Sequence, residues 1–305
     1  MRIKYGLNPH QSVRLSGSGL QMRELTGTDI SLNVMLDTLL SKSIASSESS
    51  PLAIYVKHRL PLVVHSEKTP NTTVDNFVER VLQFRNIEFG TIFFNFPVDC
   101  KVVESLSKIR FHTIAASSFD SPSIMMINSP ELQKINRGIV ALEYGVVPEI
   151  ERVCWSSSEY SIEAGLSSDS SVDENVLLEA TANHCWTQPL MFDLALRTLK
   201  SARTVTALIM IEDGIPIIRS GFYDGIVAIE SVLDEAQTAG FSLSNATLFT
   251  DGCFGVRSPI KTLSKFGVRQ FVFSGGKSND VELLDDAQKV GLGAICMKHR
   301  YFSLG

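Results

Sequence analysis

The spacing of apolar residues alternates between short continuous runs and helical repeats along the chain. Short apolar runs predict buried strands at Leu52–Val56, Pro61–Val64, Thr91–Phe94, His112–Ala115, Ile124–Ile127, Val205–Ile211, Ala246–Phe249, Gln270–Phe273 and Ala294–Lys298. Apolar residues about 3.6 positions apart predict helices at Ser31–Ser43, Val74–Arg85, Val102–Ile109, Met191–Ala202, Gly225–Ala239 and Asp280–Val290. Strands that alternate with helices predict an α/β fold in which helices cover the faces of a sheet.

A break in this pattern divides the chain into two parts. The segment Ser156–Glu174 is rich in Ser, Asp and Glu and poor in apolar residues, which is typical of a surface connection. A chain of 305 residues is long enough for two domains. We therefore predict an N-terminal lobe at 1–155, a connection at 156–174 and a C-terminal lobe at 175–305. Residue identities show no obvious internal repeat between the two parts.

Composition and charge narrow the function classes. Hydrophobic residues are 44% of the chain, enough for a large core, and the net charge of −5 disfavours a general nucleic-acid or membrane-surface binder. No apolar run reaches the roughly 18–20 residues that span a bilayer, and the first residues lack a signal-peptide pattern. The five cysteines form no C-x-x-C pair and indicate neither a zinc ribbon nor a disulfide framework. These features predict a cytoplasmic protein that binds neither nucleic acid nor membrane.

Few short motifs point to chemistry by themselves. Lys57 and His58 directly follow the predicted strand Leu52–Val56, and strand ends are where α/β proteins place reactive groups. On spacing alone, a solvated surface pair is the commoner explanation. Gly275-Gly276 follows another predicted strand and could offer N–H groups to an anion or form only a tight turn. His65-Ser66-Glu67 matches the H-x-E of zinc deaminases, but their P-C-x-x-C segment is absent, so we expect no metal site.

Several longer segments resemble one enzyme family. Lys4-Tyr5-Gly6-Leu7-Asn8-Pro9-His10-Gln11 resembles the R/K-Y-G-x-N-P-H-Q start of AICAR transformylase, the formyltransferase half of a bifunctional purine-biosynthesis enzyme. Leu25–Asp37 is similar to the family's L-x-G-K-E-L-S-Y-N-N-L-L-D, and Lys57–Pro61 falls where the family has K-H-T/N-N-P-C-G. Weaker matches follow in order at Phe89-Gly90 with Asn95, Thr250–Phe254, Ser274–Lys277 with Asp280, and Arg300-Tyr301-Phe302. The resemblance covers nearly the whole chain.

The resemblance implies a fold and a reaction. The fold is two lobes of cytidine-deaminase-like α/β topology without zinc, in a homodimer with shared active sites. The reaction moves a formyl group from the co-substrate 10-formyltetrahydrofolate to the amine of AICAR, an aminoimidazole carboxamide ribonucleotide. The implied partners are therefore a small nucleotide and a folate, and no metal is expected.

The resemblance also implies roles for individual residues. Lys57, His58 and His10 would be catalytic, with His58 as the base and Lys57 stabilising charge on the formyl oxygen. The nucleotide would be bound by Lys4, Tyr5, Gly6, Asn8 and Arg300. The folate side would be formed by Asp251, Phe254, Gly275 and Gly276.

The chain also departs from the family pattern, mostly on the folate side. The family's Asn after K-H-T/N is Leu60, the Asn of its K-S-N-A segment is Ala202, and the first Phe of S-D-A-F-F is Cys253. Three hypotheses stay open: a formyltransferase acting on AICAR or a related aminoimidazole nucleotide, a diverged formyltransferase of specialised metabolism with another amine acceptor, and a non-catalytic nucleotide-binding relative.

Overall fold

A computed structural model gives the fold of most of the chain. It describes residues 22–27, 30–46, 48–83, 89–136, 138–145, 152–156, 161–165, 177–180, 189–202, 204–211, 214–222, 224–252, 254, 257–275 and 278–297. Among the described residues, no helix combines the length and the apolar character needed to cross a bilayer.

Strands and helices alternate as the apolar pattern predicts. The first part of the chain contains β1 (Met22–Thr26), α1 (Leu32–Ile44), β2 (Leu52–Lys57), β3 (Leu60–Ser66), α2 (Pro70–Gln83), β4 (Gly90–Phe94), α3 (Cys100–Leu106), β5 (Phe111–Ala116), α4 (Ser121–Ile127), α5 (Pro130–Ile135) and β6 (Val140–Tyr144). A separate hairpin of β7 (Arg152–Ser156) and β8 (Ser161–Gly165) follows. The second part contains β9 (Leu177–Ala180), α6 (Pro189–Ala202), β10 (Val205–Ile211), β11 (Gly214–Phe222), α7 (Gly225–Ala239), β12 (Thr247–Thr250), α8 (Ile260–Lys265), β13 (Gln270–Ser274), α9 (Asp280–Lys289) and β14 (Gly293–Met297).

Twelve of the described strands form one mixed sheet that runs through both parts of the chain. Their order is β1-β6-β5-β4-β2-β3-β11-β10-β12-β13-β14-β9. The two parts meet at the centre, where β3 and β11 pair antiparallel with His65 opposite Gly214 and Val64 opposite Ile215. The α/β class is therefore confirmed, with the strands of both predicted lobes in one continuous sheet. The cytidine-deaminase-like assignment stays a prediction.

The two halves of this sheet have the same topology. From its outer edge inwards, the first half pairs β1-β6 antiparallel, β6-β5 and β5-β4 parallel, and β4-β2 and β2-β3 antiparallel. The second half repeats that series with β9, β14, β13, β12, β10 and β11. Helices also follow equivalent strands in both halves. The chain thus contains an internal topological repeat that residue identities did not indicate.

Helices bury both faces of the sheet. On one face, α1 and α6 pack over a core that includes Val34, Leu194 and Phe249. On the other face, the remaining long helices cover a core that includes Phe77 and Leu233. Because both faces are covered, the strands are apolar at nearly every position, which is why they appear as continuous runs in the sequence.

One predicted strand and the predicted connection differ from the structure, and several elements, among them the central strand β11, were not predicted. The run Ile124–Ile127 was predicted as a strand, and this is wrong because it forms the end of α4. Asp120 caps that helix, its carboxylate accepting the N–H of Ser123 at 2.7 Å, and Pro122 occupies the first turn. Within the predicted connection 156–174, Ser161–Gly165 forms strand β8 rather than irregular chain.

Candidate active site

The candidate catalytic pair lies at the tip of a tight hairpin. Lys57 ends β2 and pairs with Leu60 at the start of β3, so His58 and Arg59 alone form the turn. Both have positive φ angles, 53° at His58 and 64° at Arg59. This is the backbone conformation of a type I′ turn, which Asn and Gly normally occupy. A different residue held there costs on the order of 1–3 kcal/mol, and such strain is concentrated at functional sites.

A buried carboxylate from a neighbouring helix contacts the turn backbone. Asp37, on α1, is 5% exposed, and its Oδ1 accepts the N–H of Arg59 at 2.5 Å. The backbone N–H of His58 also donates to this carboxylate. Burial raises the pKa of Asp37 to about 6, while the two N–H groups and the charge of Arg59 act in the opposite direction. The side chain is therefore ionised at neutral pH and joins α1 to the strained turn.

Sequence reasoning did not single out Asp37, although it closes the matched segment Leu25–Asp37. The spacing of apolar residues in the predicted helix Ser31–Ser43 contained a signal for this carboxylate. Asp37 lies on the buried side of α1, among Val34, Met35 and Thr38. A carboxylate on the buried side of a helix is rare unless it has a partner. The partner is 22 residues away in sequence, and only the fold brings it into contact.

Two residues predicted on the folate side are buried in the second half of the sheet. Asp251 directly follows β12 and is fully buried, and its Oδ1 accepts the N–H of Thr206 at 2.7 Å. Phe254 is 2% exposed and packs against Phe271 and Phe273, with ring centroids 5.8 and 6.1 Å away. In the described part of the chain, these side chains therefore contribute to the core rather than to an open surface.

Gly275 follows β13 in a place where only glycine fits. Its N–H donates to the carbonyl of Met297 at 2.8 Å, and an added Cβ would lie 2.5 Å from Sγ of Cys296 and 2.9 Å from that carbonyl oxygen. The close approach of the backbone to β14 explains this glycine without a ligand. Its predicted role in folate binding remains a prediction.

Asp251 has an equivalent in the other half of the fold. Asn95 directly follows β4, and its Oδ1 accepts the N–H of Leu52 at 2.7 Å. A backbone hydrogen bond completes each pair. The N–H of Asn95 donates to the carbonyl of Leu52, and the N–H of Asp251 donates to the carbonyl of Thr206, both at 3.3 Å. The two side chains thus tie the end of one strand to the start of its antiparallel neighbour in each repeat.

The second oxygen of Asp251 distinguishes the two positions. In Asn95, Nδ2 donates to the carbonyls of Ser50 at 2.9 Å and Glu48 at 3.4 Å. In Asp251, Oδ2 has no hydrogen-bond partner among the described residues. Burial raises the pKa of Asp251 to about 7, although the N–H of Thr206 lowers it.

The sheet brings the candidate catalytic pair and the predicted folate segments to one edge but not into contact. Four successive antiparallel pairings lead from β2 to β12, so these strands point the same way, and β13 is parallel to β12. Lys57, Asp251 and Gly275 therefore lie at the same edge. Four strand spacings separate β2 from β12, which is about 19 Å.

Other predicted residues lie outside the described part of the chain. They are Lys4, Tyr5, Gly6, Asn8, His10, Gly276 and Arg300. Ala202, which replaces the family's Asn, ends α6 and is 8% exposed. The described residues contain no group of three or more His, Cys, Asp or Glu side chains that could hold a metal ion. His65 is buried in β3, with Nε2 3.6 Å from Oε1 of Glu67.

The fold and site define an α/β protein with a Lys-His pair on a strained hairpin at one edge of a repeated sheet. Residues 1–143 match the family model described as the AICARFT/IMPCHase bienzyme. The bifunctional purine biosynthesis protein PurH of Oceanobacillus iheyensis is 25% identical over 98% of the chain, and that of Caldicellulosiruptor saccharolyticus is 23% identical over 99%. The chain spans 58% of the length of each of these two relatives. These matches confirm the predicted resemblance to this family.

Proposed function

We propose that the protein is a formyltransferase that moves a formyl group from 10-formyltetrahydrofolate to the amine of AICAR or a related aminoimidazole nucleotide. The observation that carries this proposal is the hairpin at the end of β2, where Lys57 ends the strand and His58 begins the strained turn, so that both catalytic candidates of the family pattern lie at its tip. The relatives named as purine biosynthesis proteins support the same class of reaction.

Lys57 and His58 have different roles in the proposed reaction. The acceptor amine is conjugated to its ring and is a weak nucleophile, so His58 accepts its proton as the nitrogen bonds to the formyl carbon. Lys57 stabilises the negative charge on the formyl oxygen of the tetrahedral intermediate. The bond between the formyl carbon and N10 of the folate then breaks, and tetrahydrofolate leaves with a proton on that nitrogen. Each role is typically worth about 10²–10⁴-fold in rate.

Two further groups of residues hold the ligands in this proposal. The nucleotide is bound by Lys4, Tyr5, Gly6, Asn8 and Arg300, with His10 near the acceptor. The folate side involves Asp251, Phe254, Gly275 and Gly276. Because Asp251 and Phe254 are buried, we assign them a supporting role behind the folate site rather than direct contact. We also propose cytidine-deaminase-like lobes and a homodimer, as the family resemblance implies.

A non-catalytic nucleotide-binding protein is the second candidate. It is favoured by Ala202 and Leu60, which stand where the family has Asn residues. A formyltransferase with a different amine acceptor would retain Lys57 and His58 and lose activity towards AICAR.

The test is incubation of the protein with 10-formyltetrahydrofolate and AICAR, followed by measurement of tetrahydrofolate release and product mass. We expect Lys57→Ala and His58→Ala each to lower turnover by at least about 10²-fold, the scale for losing a positioned base or charge stabiliser. Lys68→Ala removes an exposed lysine outside the turn and serves as the control, with turnover unchanged. Near-native turnover in either turn variant would contradict the assignment. Nucleotide binding without turnover would favour the second candidate.

A further inference from the structure

We infer that Asp37 is a positioning residue that holds the His58–Arg59 turn, which directly follows Lys57, in its left-handed conformation. The catalytic consequence of this inference rests on the proposed function. The structural part, the control of the turn by a side chain of α1, can be tested without any turnover.

The backbone of the turn exposes two N–H groups that the sheet does not use. Lys57 and Leu60 pair across the hairpin, so the hydrogen bonds of the ladder end there. In a two-residue turn, the N–H groups of the central residues point away from the ladder. Here those are the N–H groups of His58 and Arg59, and both donate to Asp37.

The acceptor comes from a well-anchored helix. The hydroxyl of Ser31 caps α1 by accepting the N–H of Val34 at 3.3 Å, and the helix packs on the sheet through Val34, Met35 and Ile44. A buried carboxylate accepts stronger hydrogen bonds than a neutral group does. Asp37 therefore ties a strained two-residue turn to a helix that is itself fixed against the sheet.

This link sets where the reactive side chains lie. Lys57 and His58 are adjacent, so a change in φ at His58 redirects the His58 imidazole relative to the Lys57 ammonium. Catalytic groups must be placed closely, and a displacement of about 1 Å can cost about 10²-fold in rate. Loss of the Asp37 acceptor is thus expected to lower kcat more than it raises KM, because Asp37 is buried beneath the turn.

Three variants of the full chain separate positioning from general damage to α1. Asp37→Ala removes both acceptor oxygens. Asp37→Asn keeps one oxygen that can accept the N–H of Arg59. Thr38→Ala is the matched control, because Thr38 is also buried on α1 and its hydroxyl donates only within the helix, to the carbonyl of Val34 at 2.9 Å.

The first measurement is amide hydrogen exchange at His58 and Arg59. We expect exchange at least about tenfold faster in Asp37→Ala, because local opening of the turn becomes easier. Thr38→Ala is expected to keep the native exchange rates at both residues, and Asp37→Asn is expected to keep the native rate at Arg59. If Asp37→Ala does not fold, Asp37→Ser, whose side chain is shorter and lacks the second acceptor, takes its place with the same expectation.

The second measurement is formyl transfer by the same variants. We expect kcat to fall by about 10²-fold in Asp37→Ala and to be largely restored in Asp37→Asn. Unchanged exchange and unchanged kcat in Asp37→Ala would overturn the inference, and so would an equal loss in Thr38→Ala. Faster exchange in Asp37→Ala with no turnover by the wild-type protein would support the positioning of the turn and overturn the proposed function.

Discussion

Asn95 and Asp251 occupy equivalent positions, and giving each the side chain of the other in two separate variants is expected to change the pH dependence of stability in opposite directions. Both accept a strand N–H at 2.7 Å, but only the amide of Asn95 also donates, to the carbonyls of Ser50 and Glu48. The variant Asp251→Asn therefore keeps the conserved geometry of the repeat and removes a buried ionisable group. The variant Asn95→Asp introduces such a group at the equivalent place.

The size of the change in the free energy of unfolding follows from the pKa of Asp251. Burial raises it from an ordinary value of 3.8 to about 7 in the folded protein. Between these two values the folded protein binds more protons than the unfolded chain, so stability falls as pH rises from about 4 to about 7. A shift of roughly three units at 1.36 kcal/mol per unit corresponds to about 4 kcal/mol. Above pH 7 the full cost of the buried carboxylate is present.

Urea unfolding at pH 5, 6, 7 and 8 measures this difference. We expect the stability of Asp251→Asn relative to the wild-type protein to increase as pH rises, by about 2–3 kcal/mol between pH 5 and pH 8. Subtracting the wild-type curve cancels the contribution of Asp37, whose pKa is also raised, to about 6. A difference between Asp251→Asn and wild type that does not change with pH would refute the reasoning.

The reciprocal variant is the matched control. Asn95→Asp is expected to become less stable than wild type as pH rises, because its carboxylate would face the carbonyls of Ser50 and Glu48 without a proton to donate. If Asn95→Asp shows this pH dependence and Asp251→Asn does not, Asp251 is stabilised as an ion by groups that the described residues do not include.

Two further predictions concern packing and ligand binding. Gly90→Ala is expected to lower the free energy of unfolding by about 3 kcal/mol in urea titrations, because its Cβ would lie 2.3 Å from the ring of Tyr55. Gly138→Ala, where the added Cβ meets nothing within 4 Å, is expected to cost only about 1–2 kcal/mol of left-handed strain, and equal losses would contradict the packing argument. In calorimetric titrations, AICAR is expected to bind and to bind about tenfold more weakly to Lys4→Ala, since one phosphate contact is lost; an unchanged affinity would exclude Lys4 from the nucleotide site.

Local sequence signals determined most of the secondary structure. The predicted helix Gly225–Ala239 has those bounds in the structure, and its cap, Asp224, accepts the N–H of Ile226 two residues away. The predicted strand Leu52–Val56 is one residue longer in the structure, where it ends at Lys57. Such signals act within a few residues, so a pattern in the sequence is enough to find them. The prediction of a strand at Ile124–Ile127 was wrong because a short apolar run fits a strand and a helix equally well. The helix cap formed by Asp120 favours the helix that the structure has there.

The sequence also indicated the resemblance to the AICARFT/IMPCHase bienzyme family and the place of the candidate Lys-His pair. Motifs in order along the chain identified the relatives. Lys57 and His58 directly follow the predicted strand Leu52–Val56, and in the structure Lys57 is the last residue of that strand and His58 the next. Both the motifs and the position of the pair depend only on residues that are close together in the chain, so the sequence contains them directly.

The tertiary structure alone decided how distant segments meet. The repeat of strand order is absent from residue identities, since many different apolar side chains fill the same buried strand. Asp37 reaches a turn 22 residues away, and Asp251 reaches a strand 45 residues away. No local pattern encodes these contacts, because they depend on which strands pair and in which direction, and pairing is set by burial of the whole sheet.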